Sequence, residues 1–220
     1  MTGEAQGLIG ESLRRAWETF KRDSLIVMGL ALLGMVVAAV PEMHKSVYHP
    51  PEWLGQFFSA LWWIGAGLPL TAGVQYGMLR VLRGERVGAR DLFLGYPKLG
   101  HLLLCYFCAV VLGLLGLILL VVPGVILFLG FSQCLLLTLD QGERGLGGLE
   151  RSWRMMKGFR IRFLGLVLVN VGICLLGLLL LGVGLVPAAA ITSLAMVAFY
   201  DRVLALHPGL PDAPQRPGPA

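Results

Sequence analysis

The chain alternates long stretches without charge with short polar, basic segments. Residues 24–40 carry no charged side chain and as a helix would span roughly 26 Å, close to the hydrocarbon thickness of a bilayer. Pro41 follows and, lacking a backbone N–H, is predicted to mark the outer end of that helix. Residues 54–79 form a second uncharged run interrupted by Pro69. Residues 99–139 carry only His101, about twice one crossing, so the segment must fold back. The predicted turn is Val122-Pro123-Gly124, where a missing N–H and a permissive glycine coincide. Residues 163–200 are also too long for one crossing and are predicted to turn near Gly182-Val183-Gly184-Leu185-Val186-Pro187. The pattern predicts an all-α polytopic membrane protein, with six transmembrane helices in three hairpins. Residues 1–206 form its single membrane domain. Residues 207–220 contain five prolines and read as a disordered cytoplasmic tail.

Charge adds an orientation. Of the 18 Lys and Arg residues, all except Lys45 fall in alternate polar segments. Arg14, Arg15, Lys21 and Arg22 precede the first run. Arg80, Arg83, Arg86, Arg90 and Lys98 lie between the second and third, and Arg144, Arg151, Arg154, Lys157, Arg160 and Arg162 between the fourth and fifth. Arg202 and Arg216 follow the last. The positive-inside rule makes these segments and both termini cytoplasmic. Composition agrees: 56% hydrophobic and 14% charged, with mean hydropathy +0.76, is far from the ~25% charged typical of soluble chains. The net charge of +5 is thereby assigned to topology and anionic lipid head groups, with no nucleic-acid partner expected. The leader before residue 24 carries Glu4, Glu11, Glu18 and Asp23 and reads as retained, not as a signal peptide.

Each hairpin is preceded by a basic, aromatic segment: Arg14-Arg15-Ala16-Trp17-Glu18-Thr19-Phe20-Lys21, Arg90-Asp91-Leu92-Phe93-Leu94-Gly95-Tyr96-Pro97-Lys98, and Arg151-Ser152-Trp153-Arg154-Met155-Met156-Lys157-Gly158-Phe159. Such mixtures suit amphipathic interfacial helices, rings at head-group level and cations reaching outward. The candidate lipid-contact residues are Arg14, Arg15, Trp17, Lys21, Lys98, Arg151, Trp153, Arg154, Lys157 and Arg160. Ordinary juxtamembrane anchoring accounts for the same residues.

Several of these segments carry a resemblance. Gly67-Leu68-Pro69-Leu70-Thr71-Ala72-Gly73, Asp91-Leu92-Phe93-Leu94-Gly95-Tyr96, Val122-Pro123-Gly124-Val125-Ile126, Arg151-Ser152-Trp153-Arg154-Met155-Met156-Lys157-Gly158 and Ala198-Phe199-Tyr200-Asp201-Arg202 occur in order. Together they resemble an uncharacterised bacterial membrane-protein family, domain of unknown function 975, over roughly residues 8–205. The chain is also distantly similar to the membrane domain of some glycerophosphodiester phosphodiesterases. Where the family usually has a tyrosine after its proline-glycine turn, this chain has Phe131-Ser132-Gln133. The resemblance implies the same architecture and a bacterial cytoplasmic (inner) membrane, and it implies no activity.

The residues that could carry chemistry are few. No Asp, Glu, Lys or Arg lies well inside a predicted span, where ionisable groups usually mark coupled transport. Asp140 and Asp201 are expected at cytoplasmic ends, within reach of water. Gln75, Gln133 and Asn170 are the deepest strongly polar groups, and interhelical hydrogen bonds explain them without a substrate. Pro69, flanked by glycines, predicts a kink or unwound stretch of the kind that forms transporter sites. Gly73 and Gly77 instead predict close helix packing. Cys105 and Cys108 form a CxxC inside an apolar helix and read as small buried residues. His44 and His49 alone make a weak metal site. No catalytic, cofactor or metal residues are assigned. The expectation is a non-enzymatic scaffold or accessory subunit that packs with a membrane-protein partner or a second copy and contacts anionic lipid. The alternative is a passive channel or small-solute or lipid transporter with a site around Pro69, Gln75 and Asn170.

Overall fold

A computed structural model of the chain describes residues 2–119, 121–142, 146–179 and 184–206; the proline-rich tail at 207–220 lies outside them. The described residues are all-helical. They comprise α1 (Thr2–Arg22), α2 (Ser24–Tyr48), α3 (Glu52–Trp62), a π-helical turn (Trp63–Gly67), α4 (Leu68–Leu82), α5 (Ala89–Leu92) and α6 (Leu99–Leu119). The rest is α7 (Val121–Phe131), α8 (Cys134–Asp140), α9 (Gly147–Met155), α10 (Arg160–Leu179) and α11 (Leu185–Ala205). Five helical stretches are long and apolar enough to cross a membrane: α2, α3 continuing through α4, α6, α10 and α11.

Both prolines predicted to end or interrupt helices are absorbed. Pro41 lies inside α2 and is buried. The helix ends instead at His49, left-handed at φ 45°, whose N–H closes on the Lys45 carbonyl, just before the Pro50-Pro51 pair that cannot continue it. Around Pro69 the chain inserts one π turn, with the Leu68 N–H bonded to the Trp63 carbonyl. That wider turn re-pairs the backbone where proline removes a donor, and the helix runs on from Glu52 to Leu82. The true discontinuity lies elsewhere. Residues Ser132 and Gln133 form a turn between α7 and α8, so the segment predicted as one fourth helix is two short ones. At the turn predicted at Val122-Pro123-Gly124, α6 ends at Leu119 and α7 begins at Val121, with residue 120 outside the described set and Pro123 in the first turn of α7, where proline is tolerated. The turn predicted around 182–187 overlaps residues 180–183, outside the described set; Pro187 lies in the first turn of α11.

α11 is the centre. In its most apolar stretch 56% of residues are buried, against 22% for α6 and for α10. It packs against α1, α2, α4 and α10, around Met78, Leu79, Phe163, Leu166, Leu194, Phe199 and Tyr200. Leu25 and Ile26 of α2, Phe107 and Ile118 of α6 and Leu168 and Leu179 of α10 face outward, at least half exposed. That inversion is expected of helices whose outer surface meets lipid. α6 and α7 form a tight pair whose backbones meet where a Cβ on Gly116 would lie 2.9 Å from the Cα of Gly124. This pair leans on α8 and α9, and only α7 of the two makes appreciable contact with α10.

Of the interfacial helices expected before each hairpin, α1 and α9 form, whereas α5 is one turn. None simply floats at a surface. α1 docks along α11, burying Ser12 and Ala16 completely. The α5 segment folds back onto α4. The glycines expected to bring spanning helices together receive other elements as well: Gly73 meets the Leu92 backbone, and Gly77 meets the side chains of Leu30 and Val87.

Candidate functional site

Two polar features stand out against the apolar bundle. The first is a charge cluster at one end. Arg83, just past α4, makes paired hydrogen bonds to both carboxylate oxygens of Asp140, at 2.7 and 3.1 Å. Its Nε donates to Asp201 at 3.0 Å, and Arg15 approaches the other Asp201 oxygen at 3.5 Å. The Tyr200 hydroxyl and the Gln141 amide each donate to Asp140 Oδ2 at 2.9 Å. Arg202 pairs with Glu11. One guanidinium thus joins α4, α8 and α11, and α1 is tied in through Arg15 and Glu11. The side chain of Asp140 is only 5% exposed, so the expectation that this carboxylate reaches water is wrong: it is neutralised by the half-buried guanidinium of Arg83 instead. Burial opposes the charge on Arg83, but the hydrogen bonds and charge of Asp140, and then of Asp201, outweigh it and raise its pKa above the usual arginine value. Lys98 adds a cap, donating to the carbonyls of Thr138 and Leu139 at 3.2 Å each, where the end of α8 leaves acceptors open. Burial lowers the pKa of Lys98, with Asp140 pulling the other way.

The second feature is a cavity of about 1030 Å³ between α4, α6, the α7–α8 turn, α10 and α11. Its size is at the upper end of the roughly 300–1,000 Å³ typical of ligand sites. The polar groups on its wall are Gln75, Ser132, Gln133, Asn170, Thr192 and Ser193; the remaining lining is apolar apart from Cys174. Among the described residues no charged side chain lines it. Leu114, Leu175 and Leu178 on its rim are each more than half exposed, so the cavity opens sideways onto the apolar surface of the bundle. The α7–α8 turn sits in its wall, and non-helical backbone at such a place is tolerated where it lines a cavity.

Gln75 and Asn170, picked out in the sequence, are brought together here, with Gln75 exposed to the space and Gln133 and Asn170 buried. Pro69 is not in the wall. It is buried, and its backbone abuts Gly95, where a Cβ would stand 2.8 Å from the Pro69 Cα. The signal that would have found the break was Ser132-Gln133, two polar residues in an otherwise apolar run.

The lipid-contact candidates divide. Trp17 is 46% exposed, with Lys21 over its ring at 5.1 Å, and Lys157 is exposed. Arg14 and Arg154 are exposed but pair along their own helices with Glu18 and Glu150. Arg160 lies over Trp153 with its guanidinium 3.6 Å from the ring centroid, and Trp153 in turn meets Phe131 at 5.3 Å. Arg15, Lys98 and Arg151 face inward, the first two into the charge cluster and Arg151 into the buried side of α9. His44 stacks on Phe58 at 3.9 Å. Cys105 and Cys134 share a buried cluster with Phe131 and Leu149. No family model, curated protein or solved structure matches the chain.

Proposed function

We propose that this is a non-enzymatic integral membrane protein that binds a lipid-sized apolar molecule within its bundle. The observation that carries the reading is the cavity: large, mostly apolar, without a charged side chain among the described residues of its lining, and open to the side where Leu114, Leu175 and Leu178 are exposed. A coupled pump would need ionisable groups along such a space, and a water-filled pore would need a more polar wall. In this reading α7, the Ser132–Gln133 turn and α8 together supply a sixth crossing. The basic segments are cytoplasmic by the positive-inside rule, which supports a bacterial inner-membrane location, and Trp17, Lys21 and Lys157 meet anionic head groups. The notion of a transport or binding site is retained from the sequence, with Pro69 exchanged for the wall around Gln75 and Asn170.

The test is mass spectrometry of material that co-purifies with protein extracted gently from its membrane, compared with Ser193→Phe, which places a ring in the cavity. The wild type should carry a reproducible amphiphile, and Ser193→Phe should carry several-fold less while eluting and melting as the wild type does. Equal content in both would remove the cavity as a binding site. A stoichiometric protein partner with no retained amphiphile would favour a scaffold instead.

A further inference from the structure

We infer that the occupant of the cavity is an uncharged amphiphile whose hydroxyl or amide N–H donates a hydrogen bond to Asn170 Oδ1 while its apolar body fills the rest. The inference rests on the reading of the cavity as a binding site and names the class of molecule it takes.

Asn170 is 7% exposed and lines the cavity. Its Nδ2 donates to the Thr192 carbonyl at 3.3 Å, which fixes the direction of the amide. Oδ1 is buried without a hydrogen-bond partner. Such an acceptor is costly, and buried polar side chains in folded proteins nearly always have a partner. The neighbouring Thr192 hydroxyl does not supply it, being donated to the Ala189 carbonyl at 3.0 Å. A ligand donor does, when a small shift of the Asn170 side chain uncovers the oxygen, which has almost no accessible surface as it stands.

Depth selects the rest of the ligand. Asn170 is about 15 Å along the α10 axis from Arg160, near the middle of that span. A phospholipid head group anchored at the interface does not reach there. An ionised phosphate, carboxylate or ammonium would lose its hydration and meet no opposite charge, which is strongly unfavourable. A neutral head group avoids both costs, and the sideways opening admits a molecule already dissolved in the bilayer.

The experiment is a native mass-spectrometry titration of the full-length purified protein with three defined probes: dioleoylglycerol, its O-methyl ether and dioleoylphosphatidate. Wild type should bind dioleoylglycerol roughly 3- to 10-fold more tightly than the ether, as expected of one hydrogen bond, and both more tightly than the phosphatidate. Asn170→Leu should bind the two neutral probes equally, retaining the apolar contribution; Asn170→Ala replaces it if the leucine variant does not elute as wild type. Ser193→Phe should weaken both neutral probes together. If the alcohol and ether bind alike in wild type, or the preference survives at position 170, the donor to Asn170 is refuted while the cavity stands. Phosphatidate binding best, with sensitivity to Ser193→Phe, refutes the neutral class. Binding unaffected by Ser193→Phe removes the cavity reading itself.

Discussion

Arg83→Ala lowers the stability of the folded bundle by about 3–5 kcal/mol, the range for removing one partner of a buried ion pair. The magnitude comes from what is left behind. Asp140, with its side chain 5% exposed, loses a bidentate cation; among the described residues it keeps the neutral donors Tyr200 and Gln141, with Lys98 near enough to feel its charge. Among the described residues Asp201 keeps Arg15 at 3.5 Å. The loss therefore falls on the junction of α4, α8, α11 and α1 at once. Unfolding in mixed micelles with increasing denaturing detergent measures it. The double variant Arg83→Met with Asp140→Leu should recover most of the loss, because apolar residues of similar size can replace a buried pair at little cost. A single variant as stable as the wild type would show that the pair is hydrated in the membrane-embedded protein.

Gly73→Ala should cost about 1–3 kcal/mol, the usual range for forcing atoms into a filled site. A Cβ there would stand 2.8 Å from the carbonyl carbon of Leu92 and closer still to its oxygen. Neither is the end of a flexible side chain, so the α5 segment must move off α4. It is held there on one side by Arg80 and Asp91 at 2.6 Å, with the Gly88 N–H on the same carboxylate at 2.8 Å. On the other side lies the contact of Gly95 with Pro69. Gly95→Ala should act alike, with its Cβ 2.8 Å from the Pro69 Cα. The readout is trypsin cleavage after Arg90 and Lys98, which should quicken in both variants together with a lowered melting temperature. Unchanged cleavage in both would mean that this segment is not seated on α4.

The all-helical, membrane-spanning character was legible because long uncharged runs admit few other structures in lipid. That the run at 99–139 is interrupted near 122–124 was legible for a related reason: a run twice the bilayer thickness cannot continue as one crossing, and α6 ends at Leu119 with α7 beginning at Val121. Pro41 and Pro69 misled because their effect in a helix depends on neighbours. Buried tertiary packing around Pro41 and a π turn before Pro69 absorb them, and hydropathy carries no trace of either. Gln75 and Asn170 were visible as polar residues in apolar runs, but their meeting at one cavity depends on how α4 and α10 are rotated. Hydropathy is blind to rotation when lipid and protein neighbours are equally apolar. The pairing of Arg83 with Asp140 and Asp201 was hidden for another reason. Each residue looked like an ordinary charge at the end of a span, and only the convergence of three helices turns them into a buried cluster.

The docking of α1 along α11 has a consequence for biogenesis. Arg15 and Asp201 are 186 residues apart, yet they face one another, with Glu11 and Arg202 beside them. As the chain leaves the ribosome, α1 emerges long before its partner exists, and its buried face, including Ser12 and Ala16, has nothing to rest on except the membrane surface. Its amphipathic character lets it wait there. Closure comes only when α11 has inserted, and it joins segments separated by nearly the whole described chain, a slow kind of contact to form. Quality control acting on a stalled or shortened chain would therefore meet an undocked α1 as the mark of an unfinished molecule.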